Sequence, residues 1–200
     1  MHKFIFGIAG LFLAIVCSAQ PAVEPQSSIS LKEQNTQHVT RCVSGAAAHH
    51  SVNPWILRAI LQVESGNKPD ALNRNNNGSI DVGIAQINSM HFKELGRYGI
   101  SPSDLMNECV STYVAAWHLA KQYRAYGNTW FAIGAYHSAT PCFNRRYAGL
   151  VWNALVDFKA VGGGKQRVAS LADCGYAVAQ RQPKNQQAFI QYSPSLTYDN

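Results

Sequence analysis

Acidic side chains are scarce in this sequence, which has 11 Asp and Glu against 17 Lys and Arg in 200 residues. Beyond the N-terminus it also has no apolar run long enough to span a bilayer as a helix. No two cysteines have the close CxxC spacing of a zinc site. Because 46% of the residues are hydrophobic, we expect a folded chain, and its length suits one domain.

The formal net charge is +6, and the cationic residues are scattered except for Arg145-Arg146. A nucleic-acid site would need a denser basic face, so we predict no nucleic-acid partner. An anionic cell wall or membrane surface is the better match for such a chain.

The N-terminus has the pattern of a secretory signal peptide at residues 1–19. Lys3 precedes an apolar stretch over residues 4–16, and Cys17-Ser18-Ala19 supplies small residues for cleavage. An uncleaved anchor is the alternative. We therefore predict an exported protein of the periplasm or cell envelope.

Four cysteines remain after the signal peptide, at positions 42, 109, 142 and 174. An even number in an oxidising compartment indicates two disulfides, and four cysteines allow three pairings. We expect Cys42–Cys109, joining the first helix to a central one, and Cys142–Cys174, fixing the tail.

The rest of the chain divides into three parts. Residues 20–34 are predicted to be a loose leader, residues 35–161 a mostly helical domain, and residues 162–200 a tail that is poorly ordered outside the neighbourhood of Cys174. We see no internal repeat and expect a monomer.

Capping and turn signals predict the elements of the domain. Asn53-Pro54 begins a helix that Gly66 ends, and Asn77-Gly78 marks a short hairpin. Further helices are predicted over residues 107–126, from Thr129 to about Tyr136, and over residues 144–161. The predicted class is mainly α (α+β), a helical domain with one small β-hairpin.

One acidic residue breaks the pattern of its helix. Glu64 follows Leu57, Ile60 and Leu61 at helical spacing, so its carboxyl points to the apolar side. It also lies in the last turn, where the helix dipole disfavours negative charge. Both effects favour the protonated form, which a general acid near neutral pH requires. A solvent-exposed residue at a frayed helix end is the alternative, and periodicity alone leaves both open.

Three motifs follow one another in order: Glu64-Ser65-Gly66, Gly-Ile-Ala-Gln-Ile-Asn at residues 83–88, and Ala-Tyr-His-Ser-Ala-Thr at residues 135–140. They resemble the signature of lysozyme-like lytic transglycosylases, which show Glu-Ser, Gly-Leu-Met-Gln-Ile-Asn and Ala-Tyr-Asn-Ala-Gly. The resemblance covers roughly residues 40–155. It is greatest to small members that accompany type IV secretion, conjugation and pilus systems. It implies a lysozyme-like fold, peptidoglycan glycan strands as substrate, such a machine as partner, and no cofactor.

The resemblance also implies roles for single residues. Glu64 would protonate the oxygen between N-acetylmuramic acid (MurNAc) and N-acetylglucosamine (GlcNAc), then accept a proton from the C6 hydroxyl as a 1,6-anhydro ring closes. The implied substrate-binding residues are Ser65 beside the carboxylate, Gln86 and Asn88 toward the acetamido and hydroxyl groups, Tyr136 holding Glu64 by a hydrogen bond, His137 as a sugar contact, and Tyr147 facing the cleft.

The sequence departs from the family pattern at three positions. His137 stands where Asn is common, Ala139 where Gly is common, and Ala85 where Met helps to form the cleft wall. These departures affect the fine sugar contacts more than the chemistry.

A second catalytic carboxylate is hard to find among so few acids. Asp70 and Asp81 are the candidates, and we interpret Asp81 as shaping the hairpin. The absence of a clear second carboxylate fits stabilisation of the cation by the substrate's own N-acetyl group. The segment from Asn73 to Asp81 follows EF-hand spacing but has too few carboxylates for calcium, so we predict a turn and no metal site.

Histidines and tryptophans receive the simpler interpretation. We expect His49, His50, His91 and His118 on the surface, and at least two of the four tryptophans in the core.

Two other functions remain open from the sequence. A hydrolytic muramidase would use the same glutamate to activate water. A wall-binding or assembly module with incidental catalysis would use the Gln/Asn-rich tail for a protein partner.

Overall fold

The structure, a computed structural model, describes residues 31–175, with side chains from residue 36 onward. The predicted signal peptide, most of the predicted leader and residues 176–200 of the predicted tail lie outside the described residues. Among the described residues, no helix combines the length and the apolar character that crossing a bilayer requires.

Six α-helices form most of the described chain: α1 Leu31–His50, α2 Pro54–Ser65, α3 Phe92–Gly96, α4 Glu108–Tyr126, α5 Trp130–Ala135 and α6 Pro141–Asp157. Short 3-10 helices lie at Ser89–His91, Asp104–Met106 and Ala172–Cys174. The mainly helical α+β class predicted from the sequence is confirmed.

A small antiparallel sheet has three strands in the order β1 Leu72–Arg74, β2 Ile80–Val82 and β3 Ile87–Asn88. The predicted hairpin is β1–β2, with Arg74 opposite Ile80 across the Asn77-Gly78 turn. The third strand was not predicted, because two residues are too short to show an alternating pattern.

Helix α2 begins and ends where the capping signals predict. The Asn53 side chain accepts hydrogen bonds from the amides of Trp55 and Ile56, and Gly66 ends the helix in the left-handed conformation at φ 65°. The predicted apolar stripe is fully buried, as Leu57, Ile60 and Leu61 all have 0% exposure. This rigid helix brings its last turn to one end of the core.

Helix α4 runs through the middle of the helical layer, packed against α1 and α5. Asn107 caps it by accepting from the amides of Cys109 and Val110. Because neighbours cover several of its sides, even polar Ser111 and Thr112 are buried at 0% exposure.

Three predicted boundaries differ from the structure. Helix α1 begins at Leu31, inside the predicted leader, and α6 runs over Pro141–Asp157 rather than over residues 144–161. Pro141 occupies the first helical turn, where a missing N–H is not needed, and Thr140 precedes it in an extended conformation.

Residues 162–175, predicted to be poorly ordered outside the neighbourhood of Cys174, pack back along α6. The indole N–H of Trp152 donates to the Gly164 carbonyl at 3.1 Å. Asn153 donates to the Gln166 carbonyl at 2.9 Å and accepts from the Gln166 amide at 2.7 Å. The side chain of Asn153 thus pairs with the backbone N–H and C=O of Gln166, as a neighbouring strand would. The composition of the segment does not predict such a contact.

The structure contains the two disulfides expected from the sequence. Cys42–Cys109 joins α1 to α4, and Cys142–Cys174 joins the start of α6 to the last 3-10 helix. The residues they join are 67 and 32 positions apart, so both bonds restrict the unfolded chain.

The four tryptophans lie nearer the surface than predicted. Trp55 and Trp130 are 46% and 43% exposed, so these two are not core residues. Trp117 packs against the core, and Trp152 is half-buried, where its indole bonds to the returning segment at Gly164. The prediction of two core tryptophans is therefore wrong, because helical position alone does not say which face is covered.

Gly83 is a point where the sheet and α4 meet too closely for any side chain. Its φ is +78°, and an added Cβ would collide with the Leu105 carbonyl and approach the Ser111 hydroxyl to 2.8 Å. We expect Gly83→Ala to lower the free energy of unfolding by about 2 kcal/mol or more. Chemical denaturation followed by circular dichroism measures this.

Gly96→Ala is the matched control, because an added Cβ there meets nothing within 4 Å. It should leave the free energy of unfolding unchanged or raise it by about 0.5–1 kcal/mol. Equal effects of the two alanines would show that the Gly83 contact does not constrain the fold.

Candidate active site

A cleft of about 400 Å³ lies between the end of α2, the three-stranded sheet and the end of α5. The residues that line it are Glu64, Asn73, Asn75, Asp81, Gln86, Ile87, Asn88, Met90, His91, His118, Tyr136 and His137. Its size is that of a small-molecule site, and its lining is rich in hydrogen-bonding groups.

Glu64 lies at the bottom of this cleft, on the last turn of α2. Part of its side chain remains accessible from the cleft, while protein encloses the rest. Burial raises the pKa of Glu64 to about 8, the hydrogen bond from Tyr147 lowers it, and the charge of Asp81 raises it further. The carboxyl is therefore protonated at neutral pH and able to donate a proton into the cleft.

The residue that holds Glu64 is Tyr147 of α6. Its hydroxyl donates to Glu64 Oε1 at 2.5 Å. Tyr136, expected from the resemblance to make such a bond, instead donates to the Ala85 carbonyl at 3.4 Å. The two tyrosine rings stack at 6.0 Å with an interplanar angle of 11°. The expected contact thus falls to Tyr147, because α6 packs directly against α2.

The His137 ring also stacks on the ring of Tyr147. Its ring lies 5.1 Å from that of Tyr147 at an interplanar angle of 7°, and it faces the cleft. Burial and the neighbouring Arg146 lower the pKa of His137. The ring is therefore neutral at pH 7, with both a donor and an acceptor nitrogen.

Gln86 reaches the cleft through an unusual backbone. Its φ is +49°, which follows the left-handed turn at Gly83. Its side-chain amide donates to the carbonyls of Ala71 at 3.1 Å and Gly83 at 3.0 Å. The side-chain carbonyl is then the group that can accept a hydrogen bond from a ligand.

Ser65 and Asn88 bond mainly within the protein. The Ser65 hydroxyl donates to the Ile84 carbonyl at 2.7 Å, which ties α2 to the segment before β3. The Asn88 amide donates to Asp81 Oδ1 at 2.6 Å and to Ser79 Oγ at 3.1 Å. Asn88 lines the cleft, whereas Ser65 lies behind Glu64 and has already donated its only proton.

Asp81 shapes the hairpin as the sequence indicated. Its two carboxylate oxygens accept from Asn75 at 2.8 Å and from Asn88 at 2.6 Å. The segment around Asn77-Gly78 forms the turn between β1 and β2. Asp81 nevertheless faces the cleft, so its charge acts on Glu64 across it.

Sequence reasoning missed one side of the cleft, formed by Met90, His91 and His118. His118, predicted on the surface, lies between the rings of His91 and Tyr136, each 4.8 Å away. Its Nε2 bonds to the Tyr136 carbonyl at 3.1 Å. Burial lowers the pKa of His118 to about 4, so it is neutral. Its position four residues after buried Val114 was the signal available in the sequence.

Comparison with known proteins gives consistent matches. The profile of the transglycosylase SLT domain matches residues 41–149, more than half of the chain. Invasion protein IagB of Salmonella typhimurium is 38% identical over 116 residues, which cover 56% of this chain and 72% of that protein.

Two further relatives match the same region. Protein IpgF of Shigella flexneri is 40% identical over 100 residues, covering 50% of this chain and 66% of the relative. An X polypeptide of Escherichia coli is 31% identical over 139 residues, covering 69% of this chain and 70% of the relative. The matched region contains the cleft and its protonated Glu64 carboxyl. The chain therefore belongs to the transglycosylase SLT family and is a lytic transglycosylase.

Proposed function

We propose that the protein cleaves the MurNAc–GlcNAc bond of peptidoglycan glycan strands and releases a 1,6-anhydro-MurNAc end. It would act in the periplasm or cell envelope as a monomer and without a cofactor. The observation that carries this proposal is the carboxyl of Glu64, whose pKa of about 8 keeps it protonated at neutral pH at the bottom of the cleft.

In the first step Glu64 donates its proton to the glycosidic oxygen. The bond between that oxygen and C1 of MurNAc breaks, GlcNAc leaves as an alcohol, and positive charge develops at C1. The burial of Glu64 supports this role, because it raises the pKa of the carboxyl to about 8. At neutral pH the carboxyl therefore keeps its proton until it transfers it to the sugar oxygen.

In the second step the Glu64 carboxylate accepts the proton of the C6 hydroxyl of the same MurNAc. The freed oxygen bonds to C1 and closes the anhydro ring, so no water is consumed. Tyr147 supports this step, since its hydroxyl donates to Glu64 Oε1 and stabilises the transient carboxylate.

The substrate's own N-acetyl oxygen would stabilise the cation in place of a second carboxylate. Asp81 is the nearest acidic candidate within the cleft, but both of its oxygens already accept hydrogen bonds from Asn75 and Asn88. It therefore acts through its charge on Glu64 rather than as a nucleophile.

Substrate contacts follow from the free groups that line the cleft. The Gln86 side-chain carbonyl would accept from an acetamido N–H, and His137 would contact a sugar ring beside Glu64. Tyr136, Asn88 and Ser65 would act by positioning, because each hydroxyl or amide bonds within the protein.

The name of one relative, invasion protein IagB, suggests a biological setting. Invasion protein IagB and protein IpgF come from Salmonella and Shigella. We propose that this enzyme opens the wall locally for a secretion, conjugation or pilus apparatus, whose components would be its protein partners.

The first prediction concerns the product. Mass spectrometry of muropeptides released from purified peptidoglycan should find anhydro-MurNAc ends, and Glu64→Gln should reduce their release by about 10²–10⁴-fold, because the amide cannot donate the proton. Glu94→Gln is the control, since Glu94 forms a surface ion pair with Lys121. Hydrated reducing ends would instead establish a muramidase, and no product from the parent protein would favour a binding module.

The second prediction concerns pH. The alkaline limb of kcat/KM should fall near pH 8, because activity requires protonated Glu64. Asp81→Asn removes a charge that raises the pKa of Glu64, so this limb should move down by about half a pH unit. Tyr147→Phe removes a hydrogen bond that lowers it, so the limb should move up even as kcat falls.

Asp70→Asn is the control for both variants, because Asp70 is exposed and does not line the cleft. Shifts of Asp81→Asn and Tyr147→Phe in the same direction would contradict this assignment of the field around Glu64.

The third prediction concerns stability. Folding raises the pKa of Glu64 from 4.5 to about 8, so the folded protein binds the proton more tightly than the unfolded chain. Stability from this group is complete below pH 4.5 and is lost as the pH rises through 8. Glu64→Gln lacks this loss, so its Tm should gain roughly 10 °C on the parent between pH 5 and pH 8.5. A pH-independent difference in Tm, measured by scanning calorimetry, would mean that Glu64 is not buried as described.

A further inference from the structure

A groove of about 370 Å³ lies on the side of α6 that faces away from Glu64. Arg145, Ala148 and Trp152 line it and fall on one face of the helix, whereas Tyr147 points into the core toward Glu64. Trp130 and Phe131 of α5 form one wall, and Gln166 of the returning segment forms another.

Large aromatic rings stand exposed at this groove. Trp130 and Phe131 are 43% and 42% exposed, and Tyr126 beside Phe131 is 42% exposed. The indoles of Trp130 and Trp152 meet at 5.4 Å with an interplanar angle of 68°, so they form a corner. The small residues Ala148 and Gly149 also line the groove, so their side chains take up little of its space.

Two polar side chains at the groove have no hydrogen-bond or ion-pair partner within residues 36–175, the range whose side chains the structure describes. Arg145 makes no ion pair or hydrogen bond there, and the Gln166 side chain bonds to none of those residues, although its backbone bonds to Asn153. Flat aromatic faces edged by a cation and an amide suit a ligand that is apolar on its faces and polar at its rim. A pyranose ring carrying hydroxyl and acetamido groups has this character.

We propose that this groove is a second glycan-binding site, which holds the wall polymer while the cleft cuts it. The inference rests on the proposed peptidoglycan substrate. Sugar rings stack on Trp130 and Trp152, and the rim groups bond to Gln166. Arg145 faces the carboxylates that wall glycans carry on their lactyl-peptide substituents, so the charges are complementary.

The position of the groove suits this role. Helix α5 begins with Trp130 in the groove, and Tyr136 in the cleft directly follows its last residue. Six residues of helix span about 9 Å, so the two sites are close but lie on different faces. A ligand in the groove therefore leaves the cleft free for a second strand or for a distant part of the same strand.

The test uses the full chain made inactive by Glu64→Gln and measures co-sedimentation with purified sacculi. Adding Trp130→Ala should weaken binding about tenfold, as for an aromatic residue central to an interface. Arg145→Glu, at an exposed position that tolerates substitution, should also weaken binding, and more so at low salt.

Trp55→Ala is the matched control, because Trp55 is equally exposed at 46% but lies on the first turn of α2, outside both sites. It should bind sacculi like the parent. Equal binding by all three variants would overturn the proposal.

Two further measurements identify the ligand and separate this inference from the proposed function. Binding should persist on glycan strands whose peptides have been removed by an amidase, and loss of binding there would show that the groove takes peptides instead.

With Glu64 intact, Trp130→Ala should cleave short soluble glycan fragments at the parent rate but intact sacculi more slowly. Inactivity of the parent on both substrates would contradict the proposed function, whereas an equal loss on both substrates in the variant would contradict the groove's role.

Discussion

The enclosure of one carboxyl group between α2 and α6 is the constraint on which the rest of the site depends. Glu64 extends from a helix whose inner face is fully buried, so its carboxyl is accessible only in part, from the cleft. Tyr147 of α6 donates to it from the protein side, and on its other side the carboxyl lines the cleft, into which it can donate its proton. Because burial outweighs the stabilisation that Tyr147 gives to the charged form, the carboxyl is protonated at neutral pH.

The small sheet forms the side of the cleft that faces this carboxyl. Gly83 lets the chain pass against the Leu105 carbonyl, and the bond from Ser65 to Ile84 joins this crossing to the end of α2. The left-handed backbone at Gln86 then turns a side chain into the cleft. Asp81, fixed by two asparagines, sets a negative charge across from Glu64 without approaching as a nucleophile. The cleft thus combines one strained backbone position, Gln86, with the part-buried hydrogen bonds that fix Asp81.

Much of this arrangement could be predicted because the signals are local. The caps at Asn53 and Gly66 define α2, whereas the apolar spacing before Glu64 left its burial and its exposure at a frayed helix end both open. The exchange of roles between Tyr136 and Tyr147 could not be predicted, since it depends on how α6 crosses α2. His118 was missed for the same reason, because the burial of a helical histidine depends on which neighbour covers it.

Helix α6 connects the chemistry with the opposite surface. Its inner face holds Glu64 through Tyr147, and its outer face presents Arg145 and Trp152 to the groove. The Cys142–Cys174 bond and the contacts of Asn153 tie the returning segment, including Gln166 in the groove wall, to this helix. Because one helix carries both faces, a strand bound at the proposed groove would lie at a distance from Glu64 that this helix sets. If the proposed groove binds glycan, the same helix that holds Glu64 also keeps the enzyme on its insoluble polymer between cuts.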